Sequence, residues 1–144
     1  MCFRITKFKI MKYLLFIAVF VFGMSSCEKY QECTIPIVGV YETHIVGVSG
    51  PFNLVISLEN DDNIQIDAPW LEDIWMVVDA DTDGCIDPND GESDILHIDI
   101  PTQDFEGGRE IYGRGFYSDY SLQIDYTIVD GNDKYHYKMV GSKK

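Results

Sequence analysis

Residues 122–128 have the sequence LQIDYTI, and this stretch decides the fold class. Its four apolar residues alternate with three polar ones, so an extended chain presents apolar side chains on one face and polar side chains on the other. This period of two predicts a β-strand with one buried face. The same alternation recurs at residues 64–67 (IQID), 96–100 (LHIDI) and 135–139 (YHYKM), with no convincing helical stripe after residue 26.

Turn-forming residues separate these runs. They are frequent at residues 49–51 (SGP), 60–63 (NDDN) and 130–133 (DGND). Short strands joined by consecutive hairpins favour an antiparallel up-and-down barrel, and Gly113 and Gly115 inside a strand pattern indicate the strong coiling of a small barrel. We predict an all-β fold, an antiparallel up-and-down eight-stranded barrel with strands near residues 38–47, 52–59, 63–68, 73–79, 94–100, 109–118, 121–129 and 134–141.

Short motifs in this region resemble those of small lipocalin-like bacterial lipoproteins. Residues 39–41 (GVY) are similar to the Gly-x-Trp/Tyr start of lipocalin-like chains. Residues 113–115 (GRG), 121–126 (SLQIDY) and 139–143 (MVGSK) resemble later strands of the same group. The resemblance spans most of residues 37–144 and implies an eight-stranded barrel, in some members with an inner cavity. It supplies no ligand, because one fold serves many functions.

The first 26 residues differ from the rest and predict an export signal. Four basic residues without an acid precede the apolar run of residues 13–22 (YLLFIAVFVF), and residues 23–26 (GMSS) are mostly small. This order is typical of a secretory signal, and the apolar run is shorter than the roughly 20 residues that span a bilayer. The alternative is a short buried core helix, which would place polar residues on its outer face.

Residues 24–27 (MSSC) resemble the lipobox of bacterial lipoproteins, although Met24 replaces the usual leucine. The resemblance implies that Cys27 carries the lipid, becomes the first mature residue and anchors the chain to a membrane. The alternative is ordinary signal cleavage with Cys27 free or in a disulfide. The predicted order is a signal peptide at residues 1–26, a tether at 27–36 and a barrel domain at 37–144. The predicted location is the cell envelope, as an outer-membrane lipoprotein on the periplasmic or the surface face.

The mature part is strongly acidic. The chain has 24 acidic and 11 basic residues, and four of the basic residues precede residue 27, so the mature part has a formal charge of −17. Such a charge repels nucleic acid and anionic lipid headgroups. We therefore expect no nucleic-acid partner, whereas cations or a basic protein would be attracted. The alternative is that the acids only keep an exported domain soluble.

Residues 79–90 (DADTDGCIDPND) fit the twelve-residue calcium loop of the EF-hand and dockerin type. Acids stand at positions 1, 3, 5 and 12, and glycine stands at position 6, where the chain turns sharply. The helices that flank an EF-hand are missing, so the loop would connect strands four and five. The alternative is a solvated acidic turn. The candidate ligands are Asp79, Asp81, Asp83, Cys85 through its carbonyl, Asp87 and Asp90.

Two further sets of residues are candidates for a role. Cys33 and Cys85 could form a disulfide in an exported compartment, and the sequence leaves open whether they meet. Trp75, Tyr112, Phe116 and Tyr126 could line a ligand cavity, although aromatic residues more often form plain core.

The sequence contains no catalytic constellation, which predicts a protein that is not an enzyme. Its three histidines fall in separate strands, and it lacks a nucleophile elbow, a phosphate loop and a paired metal-binding histidine motif. The leading hypothesis is a membrane-anchored barrel that binds a small apolar or amphipathic ligand in a cavity of at least about 300 Å³. The alternative is a structural or protein-binding envelope lipoprotein with a filled core, an acidic face for a basic partner and a calcium-stabilised acidic loop.

Overall fold

A computed structural model describes residues 35–60, 63–83 and 95–144. The predicted signal peptide, Cys27, Cys33, Cys85, Asp87 and Asp90 lie outside these residues. A short 3-10 turn at Ile35–Ile37 precedes the strands. These are β1 (Gly39–Ile45), β2 (Ser49–Asn60), β3 (Asn63–Leu71), β4 (Ile74–Asp83), β5 (Leu96–Phe105), β6 (Arg109–Ser118), β7 (Ser121–Asp130) and β8 (Asp133–Lys143).

The eight strands form one closed barrel in chain order. Each pairs antiparallel with the next, and β1 pairs antiparallel with β8 to close the ring. The prediction of an all-β, up-and-down, eight-stranded barrel is confirmed. The largest differences in strand length are in β4 and β5, which extend to Asp83 and Phe105 rather than ending near residues 79 and 100.

The pattern of residues 122–128 is realised in β7. Its four apolar side chains point into the barrel and are at most 2% exposed. Among them, Tyr126 packs edge-to-face on Trp70 at 5.1 Å between ring centroids, and its hydroxyl donates a hydrogen bond to the Trp70 carbonyl at 2.6 Å. The Trp70 indole N–H donates to the Met76 carbonyl at 2.9 Å. The large polar side chains of the core therefore have backbone partners, as burial requires.

The N-terminal turn packs against the barrel at the end where β1 begins. Ile37 is fully buried there, and the Tyr41 hydroxyl donates a hydrogen bond to its carbonyl. The Lys143 ammonium donates to the Pro36 carbonyl at 2.7 Å, and burial lowers the pKa of this lysine. Burial also raises the pKa of the Tyr41 phenol, which packs edge-to-face on Tyr117.

Gly113 and Gly115 allow neighbouring strands to approach closely. A Cβ atom at Gly113 would lie 2.6 Å from the Asp125 carbonyl oxygen, and one at Gly115 would lie 2.4 Å from the Gln123 carbonyl oxygen. Both distances are too short for any side chain, so these positions require glycine.

Candidate functional site

The interior of the barrel is filled by side chains. Of the described residues, 22 apolar ones are at most 4% exposed, and they form a single cluster. The largest of the fully buried side chains are Trp70, Tyr41 and Tyr126. Burial raises the pKa of the Tyr126 phenol, because an apolar environment disfavours the charged phenolate. An eight-stranded barrel is just wide enough for its own side chains, and here they occupy it.

The four aromatic residues that we expected around a cavity do not share one. Tyr126 lies in the core, but Trp75 is 55% exposed and Phe116 is 37% exposed, both on the outer face. Tyr112 alternates with the buried Ile111 and therefore also faces outward. The structure thus corrects the expectation of a common lining: three of the four residues belong to the surface.

The three described acids of the predicted calcium loop lie on the outer face of β4. Asp79, Asp81 and Asp83 are exposed and alternate with Ala80 and Thr82, which face inward. Successive outward residues of a strand are about 6.6–7 Å apart, so these carboxylates form a row and do not surround one point. Among the described residues, no group of three or more His, Cys, Asp and Glu side chains could hold a metal ion. A calcium site would need oxygen atoms from residues 84–90.

Calcium binding by residues 79–90 therefore stays a prediction with a direct thermal test. Millimolar calcium is expected to raise the melting temperature of the full-length chain by several degrees relative to excess chelator, because a ligand of the native state alone stabilises it. Asp81→Asn combined with Asp83→Asn should remove this rise. Asp67→Asn, on the outer face of β3, should leave it unchanged. A parent chain that melts at the same temperature with and without calcium contradicts the prediction.

The three histidines are exposed and lie on separate strands, as predicted: His44 on β1, His97 on β5 and His136 on β8. His136 forms a polar contact with Thr127, with 2.8 Å between the histidine Nδ1 and the threonine Oγ1. This pair lines an open groove of about 630 Å³ across β5–β8, with Tyr112, Arg114 and Asp125. This groove is open and its lining is about equally polar and apolar, unlike the enclosed and mostly apolar sites that hold hydrophobic ligands.

A second open groove, of about 500 Å³, crosses the line where β8 meets β1. Its lining combines His44 and Gln123 with the apolar side chains of Phe116, Val140 and Pro51. Both grooves lie on the outside of the barrel and are open to solvent.

Part of β4 has a strand neighbour on one side only. In the described residues, the β4–β5 ladder joins Asp81, Thr82 and Asp83 to residues 97–99. The β3–β4 ladder, in contrast, continues along β4 from Asp81 to Ile74. We call the side of residues 75–79 that faces β5 the β4 edge.

A bulge in β5 explains this separation. Pro101 and Thr102 together oppose the single residue Tyr112 of β6, which bends β5 away from the regular register. The side chain of Gln103 crosses the resulting gap: its Oε1 accepts a hydrogen bond from the Asp79 N–H at 3.1 Å, and its Nε2 donates to the Asp79 carbonyl at 2.8 Å. A side-chain amide thus replaces one peptide group of the ladder.

The charges of the barrel are unevenly distributed. Residues 63–83, which include β3 and β4, contain six acids and no lysine, arginine or histidine. Every lysine and arginine of the described residues lies at or after Arg109. Two lysines of this C-terminal part form ion pairs: Lys138 with Asp125 of β7 at 3.6 Å, and Lys144 with Glu42 of β1 at 3.3 Å. The acidic side around β4 therefore has no basic residue of its own.

No described helix is long and apolar enough to cross a membrane. Comparisons with protein-family models, with curated proteins and with solved structures find no match for this chain. The geometry defines its class as a closed, antiparallel, up-and-down barrel of eight strands with a filled interior.

Proposed function

We propose that this chain is an exported, lipid-anchored and non-enzymatic barrel that binds a protein partner with its outer surface. The observation that carries the proposal is the filled interior, where Trp70, Tyr41 and Tyr126 occupy the space that a ligand would need. A small barrel holds a ligand only where its inward side chains leave room. The filled interior therefore counts against the leading hypothesis from the sequence, an apolar ligand inside the barrel.

The surface supports a protein partner in two ways. Large apolar side chains stand outside the barrel, with Trp75 at 55%, Tyr120 at 70% and Val77 at 47% exposure, and exposed aromatic residues are common anchors of protein interfaces. The acidic side around β4 would attract a basic partner and would repel nucleic acid.

The anchor and the family are proposals from sequence. The basic, apolar and small order of residues 1–26 and the lipobox-like residues 24–27 support export and a lipid on Cys27. The strand number and order support the lipocalin-like resemblance at the level of the fold. Together they favour a binding module held at the cell envelope through the predicted tether.

The two tryptophans allow a direct test of the filled interior. Trp70 is fully buried and Trp75 is 55% exposed, so the Trp75→Phe variant reports on the interior alone. We expect that a long-chain fatty acid, titrated into this full-length variant, causes no saturable change in Trp70 emission. In the matched Trp70→Phe variant only Trp75, on the outer face, emits. This variant therefore controls for adsorption of the fatty acid to the surface of the barrel. A saturable change at Trp70 would refute the proposal and restore the hypothesis of an interior ligand.

A further inference from the structure

We propose that the β4 edge binds an extended, basic segment of the protein partner by strand addition. This inference rests on the proposed function, since it names the surface and the kind of partner. Exposed strand edges are templates for pairing with another chain, and proteins use them to capture extended peptides.

Backbone direction makes the edge suitable for a new strand. Successive residues of a strand direct their N–H and C=O groups to opposite neighbours. The Asp79 N–H and C=O point toward β5, because both bind the Gln103 side chain. The corresponding groups of Val77 and Trp75 point the same way, and the β4–β5 ladder does not reach these two residues. Among the hydrogen bonds of the described residues, none uses these groups of Val77 or Trp75, so an added strand could pair with both residues.

Side chains next to the edge supply apolar contact area. Trp75 and Val77 point outward and are 55% and 47% exposed. The Trp75 ring also packs edge-to-face on Phe52, with 6.4 Å between ring centroids, which fixes the indole at this position. A large aromatic surface held in place loses little side-chain entropy on binding.

The acidic residues near the β4 edge favour a basic segment as the added strand. Asp79 and Asp81 follow Trp75 and Val77 along the outer face of β4, and Asp67 is paired with Val77 on the neighbouring strand β3. The Asp79 carboxylate accepts a hydrogen bond from the Gln65 side chain at 3.2 Å, but residues 63–83 contain no basic residue, so lysines or arginines of an added strand would meet negative charge that no cation of these residues neutralises.

A second copy of this chain fits the edge poorly. Two copies paired through this edge would bring together two surfaces of residues 63–83, each with six acids and no lysine, arginine or histidine. Like charges directly opposite each other destabilise a strand pair. A basic partner segment has the opposite effect, so we assign the edge to such a segment.

The test uses three dye-labelled heptapeptides with capped ends and the full-length chain. The parent peptide alternates lysine and valine, with lysine at both ends. In one variant every lysine carries an N-methyl group on its backbone nitrogen, and in the other every valine does. Both variants keep the side chains and the charge of the parent. Each blocks the hydrogen-bond donors on one edge of the peptide only, because donors alternate between edges.

Antiparallel addition predicts different affinities for the two variants. The outward-facing residues of β4 point their N–H and C=O groups toward β5. In an antiparallel pair the residues directly opposite face the same way and point these groups back, so outward-facing lysines of the added strand point their N–H and C=O groups toward β4. Methylation at lysine should weaken binding at least about tenfold in fluorescence anisotropy, since lost hydrogen bonds are each worth a few-fold to tenfold. Methylation at valine should leave the affinity nearly unchanged.

Protein variants give a second measurement. Val77→Pro removes a donor that faces β5 and leaves the β3–β4 ladder intact, and it should weaken parent-peptide binding as lysine methylation does. Val77→Thr keeps the donor and the shape, and it should bind normally. If Val77→Pro melts early, the peptide comparison decides alone.

Equal affinity of the two methylated peptides, or a loss confined to valine methylation, would overturn the strand-addition proposal. So would the absence of parent-peptide binding, or a dimer in sedimentation that the peptide does not dissociate. None of these results affects the filled interior, which the Trp70 emission experiment decides separately.

Discussion

Replacing Trp70 by alanine is expected to lower the free energy of unfolding by about 3–5 kcal/mol, the range for removing a large aromatic side chain from a core. Trp70 is fully buried, and its ring packs on Tyr126. The substitution also leaves the Met76 carbonyl without the indole donor that it has in the parent chain. Because the closed barrel limits how far its walls can collapse, most of the cavity should remain.

Urea denaturation of the full-length chain, followed by circular dichroism, measures this loss. The matched control is Trp75→Ala, which removes the same side chain from the outer face. Its cost should stay below about 1 kcal/mol, as for most surface substitutions. Similar losses in the two variants would contradict the assignment of Trp70 to the core and of Trp75 to the surface.

Replacing Cys27 by serine is expected to move the protein from the membrane fraction to the soluble fraction. Each buried CH₂ group of an attached lipid contributes about 0.8 kcal/mol to membrane binding, and two or more chains anchor a protein stably. Serine accepts no thioether-linked lipid, so the whole contribution should disappear in one step.

Cell fractionation followed by immunoblotting measures this change. Cys33→Ser is the matched control, because it removes another cysteine six residues further along the chain and should leave the protein in the membrane fraction. Retention of the Cys27→Ser variant in membranes would show that the lipobox interpretation is wrong.

The sequence predicts the barrel well where alternation is strict. In β7 every apolar residue of the alternating stretch is buried, and the turns at Asn60 and Asp130 mark strand ends as expected. In β4 the sequence does not show which residues face inward, because residues 74–78 are all apolar and either the odd-numbered or the even-numbered ones could be buried. Trp75 was therefore assigned to a cavity, although Val78 and Ala80 show that the even-numbered residues are the inward ones.

The acidic run shows how one pattern can fit two structures. Asp79, Asp81 and Asp83 occupy every second position, which matches the first ligands of a calcium loop and also the outward face of a strand. Ala80 between them is buried, which decides for the strand at these residues. Small inward residues carry a weak hydrophobic signal, so the sequence underestimates the length of β4.

The β4 edge could not be predicted from the sequence, because it depends on how two strands separate in space. Pro101 gives a partial signal, since proline is confined to edges and bulges of a sheet. The bridging role of Gln103 has no local signature. Its partner Asp79 lies in the preceding strand, and only the bend of β5 brings the two residues together.

The sequence separation of paired strands predicts the order in which the barrel assembles. The β7–β8 ladder runs without a break from Ser121–Ser142 to Asp130–Asp133, whereas β1 and β8 join residues from the two ends of the described chain, such as Tyr41 and Lys143. Local hairpins form at small entropic cost, and closing the largest loop comes late. We therefore expect the local hairpins, such as β7–β8, to form before β1 docks on β8, and the net negative charge of the chain to keep nascent copies apart.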